Sequence, residues 1–285
     1  MISLHAELDA RPQSRADFAR LAAGWLTDAR RRLFPDLDLG PAGAVPAWLR
    51  VRQQPEALGG TATPYTDRVW RRTLAGLDRA YPFHVTLAMT PLGPDGRTEA
   101  GAEAIIAVHR SHRQPRWVRF EAAAPEGIAG WAGSPVTQRT WAGFVREQAI
   151  RAGAHYGHVT DDANIGGTAL ERAIQGATDE PPAVPRCQAV LRGYSWVTIC
   201  AAELAIRLGG APALAASGAF DEVRELPGGR VYLRTTAALE DFEGAAVRRA
   251  FGALAPVLLP GRPDPDRVSG TRARLVLDAD AADFR

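Results

Sequence analysis

Lysine is absent from this chain: all 34 basic residues are arginine. The absence excludes every mechanism that needs a lysine amine, including Schiff bases, pyridoxal-phosphate anchoring and the phosphate-loop lysine. Arginine is no substitute, because its guanidinium stays protonated at working pH and is a poor nucleophile. Cysteine is almost missing too. Cys187 and Cys200 are the only two in 285 residues, and their spacing fits neither a zinc knuckle nor a redox pair. Both stand in an apolar, strand-like run, which marks them as buried free thiols. No stretch approaches the roughly 18 consecutive apolar residues of a membrane span. Residues 1–9 lack the basic and apolar regions of a secretory signal, so the expected compartment is the cytoplasm and no membrane partner is expected.

What is present describes a globular chain. Hydrophobic residues make up 46% and charged residues 23%, and the length corresponds to about two domains. Enrichment in Ala, Arg, Gly and Pro points to a high-GC genome, so arginine content is partly codon bias. The formal charge is 34 − 32 = +2, too small to demand a polyanion. Divided after residue 120, the chain carries 17 Arg against 12 acids and then 17 Arg against 20, or +5 and −3.

Periodicity then assigns elements. Residues 2–8 alternate as a strand, and Ser14 with Asp17 forms a short-armed capping box. Phe18, Leu21, Ala22, Trp25, Leu26, Ala29 and Leu33 follow helical spacing up to Pro35. Residues 35–65 are expected as an irregular connection with a short helical turn around Trp48, and 66–77 as a helix. Residues 84–90 and 102–109 form strands joined by a hairpin at 91–96, with a third strand at 117–121. A helix over 136–152 buries Trp141, Phe144, Val145, Ala149 and Ala152. A short strand follows at 156–160, a helical turn at 168–174, and a long strand-like run at 187–200 that bends at Gly193. Residues 201–208 form a helix closed by Gly209-Gly210, and 220–226 pairs with 230–235 across Pro227-Gly228-Gly229. A last helix spans 243–254. Residues after Pro260 read as a loosely attached polar tail. Strands and hairpins without a βαβα rhythm predict an α+β fold with largely antiparallel sheet and packed amphipathic helices. The division expected is an N-terminal half over 1–135, a C-terminal half over 136–260 and a tail over 261–285, either as similar halves or as one continuous domain.

Two clusters offer chemistry. His155, His158, Asp161 and Asp162 place two imidazoles and two carboxylates within eight positions, all legitimate metal ligands or acid/base groups. In a strand, however, His155 and His158 point to opposite faces. The second cluster is the basic segment 109–120, where Arg110, Arg113 and Arg116 stand beside Trp117. Its composition suits contact with an acidic protein partner, while the small net charge argues against nucleic acid. No nucleophile elbow, zinc-protease signature or dinucleotide fingerprint is present, and no cofactor is implied.

Several stretches carry a family likeness. Arg11-Pro12-Gln13-Ser14 with the following helix resembles the start of bacterial polymorphic-toxin immunity proteins, as does Trp141-Ala142-Gly143-Phe144 leading to His155-Tyr156-Gly157-His158. Gly193-Tyr194-Ser195-Trp196-Val197-Thr198, then Leu208-Gly209-Gly210, then Leu226-Pro227-Gly228-Gly229-Arg230-Val231-Tyr232-Leu233, is similar to the type VI secretion immunity class and its immunity-52 relatives. The resemblance implies a cytoplasmic α+β protein that neutralises a toxin by contact, without catalysis. The Pro/Gly-rich stretch after the first helix departs from that pattern. The alternative is a small-molecule or metal-dependent enzyme with its site near His155–Asp162.

Overall fold

Alternating burial along short segments and 3.6-residue burial along longer ones yield ten strands and seven α-helices among the described residues, an α+β fold. The structure, a computed structural model, describes residues 4–35, 37, 39, 45–54, 61–90, 103–111, 114–125, 134–162, 167–176, 184–268 and 274–285. The hairpin turn expected at 91–96 and Arg113 lie outside these residues. Two compact units meet in sequence between Phe144 and Val145.

The first unit contains β1 (Leu4–Ala10), α1 (Arg15–Leu33), β2 (Ala47–Arg52), β3 (Thr61–Pro64), α2 (Asp67–Ala80), β4 (His84–Met89), β5 (Ala104–Arg110), β6 (Val118–Ala124) and the start of α3 (Pro135–Ala152). Its strands lie in the order β3-β2-β4-β5-β6-β1, every neighbouring pair antiparallel. Register puts Leu49, Leu87, Ile106, Ala122 and Ala6 in one row across the sheet, with Val51, Val85, Val108, Phe120 and Leu8 in another. Against this apolar face lies α1, whose predicted stripe is buried throughout. Trp25 anchors it, packing 5.6 Å from the Phe120 ring and 4.9 Å from Phe144. Its indole N–H donates to the Glu121 carbonyl at 3.1 Å, so the ring is buried without an orphaned donor. Ser14 Oγ caps α1 by accepting from the Asp17 amide at 3.1 Å.

The stretch expected to hold a helical turn around Trp48 is instead β2. Its side chains alternate, with Ala47 and Leu49 buried and Trp48 and Arg50 exposed, and it pairs with both β3 and β4. Six residues of period two were hidden by flanking Pro and Gly.

The second unit holds the rest of α3, then β7 (Tyr156–Thr160), α4 (Ala169–Gln175), β8 (Val197–Cys200), α5 (Ala202–Arg207), α6 (Gly210–Ala216), β9 (Glu222–Leu226), β10 (Arg230–Arg234) and α7 (Ala245–Leu254). The strand order is β7-β8-β10-β9, again antiparallel. Gly228 and Gly229 turn the β9–β10 hairpin at φ +81° and +77°, values that L side chains avoid. Gly209 breaks the helix as expected, at φ +82°, but Gly210 opens a further helix, α6.

Two expectations fail here for physical reasons. The 187–200 run is strand only at 197–200, because its earlier apolar residues are buried in irregular backbone that bonds elsewhere. The Leu191 amide donates to the Val257 carbonyl at 2.7 Å, and the Leu259 amide returns to the Leu191 carbonyl at 3.1 Å. The residues after Pro260 are not loose. Val268, Val276 and Ala281 are buried, and the Val276 amide donates to Tyr194 Oη at 2.8 Å. Cys187 and Cys200 are buried thiols that form no disulfide, and burial pushes the Cys200 thiol up to about 12.

Candidate functional site

β7 carries the His/Asp cluster out of the second unit's sheet. His158, Asp161 and Asp162 are buried and His155 is half-buried. His158 Nδ1 lies 2.9 Å from the hydroxyl of Tyr156, two residues earlier on the same strand face. Asp161 is gripped at both oxygens by Arg274, Nε at 3.0 Å and Nη2 at 2.6 Å. Arg274 also donates through Nη1 to the carbonyls of Leu239 at 2.8 Å and Phe242 at 2.6 Å. Asp162 accepts from Arg172 Nη2 at 3.2 Å, and Arg172 Nη1 donates to the Gly167 carbonyl at 2.7 Å. Each carboxylate thus already faces a guanidinium, which a metal ion would have to displace. Beside them, Arg192 is fully buried against Glu171, with two parallel bonds of 2.8 Å, and its guanidinium stacks 4.9 Å from the Tyr156 ring. Glu171 also accepts from the Thr168 amide at 2.8 Å, while Thr168 Oγ1 caps the Glu171 amide at 3.1 Å and donates to the Arg192 carbonyl at 2.9 Å. That closeness needs Gly193: a Cβ there would meet Thr168 Oγ1 at 2.8 Å.

In the first unit, the face of the sheet opposite α1 is polar. Register aligns Arg52, His84, His109, Arg119 and Asp9 across five strands, with Arg50, Thr86, Ala107, Glu121 and Glu7 in the next row. The His84 and His109 rings stack at 3.9 Å. Glu121 sits between His5 Nε2 at 2.9 Å and His109 Nε2 at 3.2 Å. Burial opposes its ionisation, but the bonds from His109 and His5 outweigh burial and hold the carboxyl well below the usual range. His84 is driven down to about 2, by burial first and then by His109 and Arg52.

The basic rim divides. Arg116 is exposed, Arg110 is half-buried, and Trp117 is buried at 3% exposure. Trp117 is therefore a core residue and is withdrawn from the contact surface. Arg110 Nε donates to the Pro82 carbonyl at 3.0 Å and Nη2 to the Tyr81 carbonyl at 3.1 Å, with its guanidinium 3.9 Å over the Tyr81 ring.

No protein-family model matches this chain. No curated protein matches it either. Among solved structures, it is similar to a T6SS (type VI secretion system) protein of Pseudomonas aeruginosa, with a TM-score of 0.60 and 15% identity over 97% of this chain and 79% of the other. The likeness shows a shared fold.

The arginines that neutralise the His/Asp cluster, and the histidine row of the first unit, were missed at the sequence level. One signal was available: His5, Glu7 and Asp9 stand at every second position of a strand whose other residues are apolar. Such alternation normally sets solvent against core. Here all three are buried as well, so the polar face of β1 is an interior one.

Proposed function

We propose that this protein is an immunity protein of a type VI secretion system that neutralises a cognate toxin by protein–protein contact in the cytoplasm. The observation that carries the reading is the fold likeness to a T6SS protein along 97% of the chain. It is supported by the way the buried titratable groups are spent. Asp161, Asp162 and Glu171 are each bound to an arginine, an arrangement that holds structure rather than one that frees an acid or base. A neutralising protein acts instead through its surface, by covering what its partner needs exposed. The toxin is expected from the adjacent gene. Expressed alone in a heterologous bacterial host, that product should arrest growth, and co-expression of this protein should restore it. Arrest that continues despite abundant folded protein would overturn the proposal.

A further inference from the structure

Tyr81 is the one non-glycine residue with positive φ among the described residues, at +42°, where it closes α2 in the left-handed conformation. Its amide donates to the Leu77 carbonyl at 2.8 Å, a task glycine performs at lower cost. What a glycine would lack is the ring. Phe18 meets it edge-on at 5.1 Å, and the guanidinium groups of Arg15 and Arg110 lie 5.0 Å and 3.9 Å from its centroid. The ring thereby holds two cations near one another. It also borders a cleft of about 220 Å³, into which Arg11, Arg15 and Arg116 contribute charge. Among the described residues, no carboxylate lines the cleft and none of these three arginines has an ion-pair partner. The neighbouring Asp17 is taken by Arg20 and by the Gln13 amide, the latter at 3.0 Å.

We infer that this cleft is the docking site for acidic side chains of the protein partner, Asp or Glu carboxylates presented by an exposed segment. The inference rests on the proposed function, since it names the surface through which that partner is held. Uncompensated like charges around a shaped concavity favour an anion that brings the missing countercharge. The attraction is assigned to the guanidinium groups, since the Asp17 and Phe18 amides in the first turn of α1 are already bonded to Ser14. A carboxylate is favoured over nucleic acid because single strands bind by stacking bases on free aromatic faces along a basic track. Tyr81 already carries two guanidinium groups and a phenyl edge, and Trp117 is buried.

The test uses the whole protein and three fluorescent probes: a short polyglutamate peptide, polyglutamine of equal length, and single-stranded DNA of equal unit count. Polyglutamate should bind in a salt-sensitive manner, and the Arg11→Glu/Arg116→Glu variant should weaken it at least about tenfold. A control with the same charge change at exposed sites away from the cleft, Arg68→Glu/Arg139→Glu, should retain most of the affinity. Equal loss in the control would reduce the effect to net charge and overturn the site. Tighter binding of DNA than of polyglutamate, or polyglutamine binding as well as polyglutamate, would also overturn it. The adjacent gene's product separates the two proposals. If it binds the native protein and the cleft variant equally, the cleft is wrong while the proposed function stands. If it does not bind the native protein, the proposed function fails, and the peptide result still decides whether the cleft takes carboxylates.

Discussion

Arg192 and Glu171 show how costly charge is to keep inside. Both are buried, and each is a countercharge to the other, so removing one leaves its partner's charge buried without that compensation. Arg192→Ala should destabilise the protein by about 3–5 kcal/mol in urea unfolding. Replacing both residues by apolar side chains of similar size should cost clearly less; an equal or larger loss would mean that the pair contributes more than mutual compensation. Trp25 makes a complementary case. Trp25→Ala removes a buried ring that touches Phe120 and Phe144, and about 3–5 kcal/mol should be lost on denaturation. Core aromatics of this kind were legible in the sequence because helical spacing alone puts Trp25, Trp141 and Phe251 on buried stripes. The partners of Asp161 and Asp162 were not. Arg274 reaches Asp161 across 113 positions, and no spacing rule encodes a pairing so remote in sequence.

Among elements, the sheet of the first unit carries the pH dependence. His84 stays neutral in the folded protein down to about 2, whereas unfolded it takes a proton near its ordinary 6.5. Below that value the unfolded state binds more protons, so stability falls as pH falls. One such site contributes up to about 1.4 kcal/mol per pH unit. Glu121 acts in the same direction at lower pH: its depressed value contributes stability above the ordinary carboxyl range that is lost as acid protonates it. Melting temperature should therefore decline from about pH 6.5 downward, and His84→Gln should flatten the upper part of that decline. An unchanged slope would show that His84 is not held neutral. The elements themselves were mostly legible where period and cap agreed, as in α1 and β7. Legibility failed where burial came without period, as in the irregular 187–196 stretch, and where Pro and Gly flanked a short strand, as in β2.

For the molecule as a whole, the fold was legible and the proposed docking surface only in part. Hairpins, helix stripes and the lack of βαβα rhythm suffice for α+β, since they depend on neighbours in sequence. A docking surface depends on residues from separate elements. The cleft joins the turn before α1, the end of α2 and the turn before β6, and only the Arg116 portion of it stood out as a basic segment. The proposed neutralisation by contact has a quantitative signature, because each bound copy would silence one toxin. The most direct measurement is a titration of the purified adjacent toxin's activity with this purified protein. Contact neutralisation predicts a linear fall to zero with a sharp break at a fixed molar ratio, unaffected by chelators. Loss of toxin activity at small catalytic amounts of this protein, abolished by chelation, would contradict it and favour a metal-dependent enzyme instead.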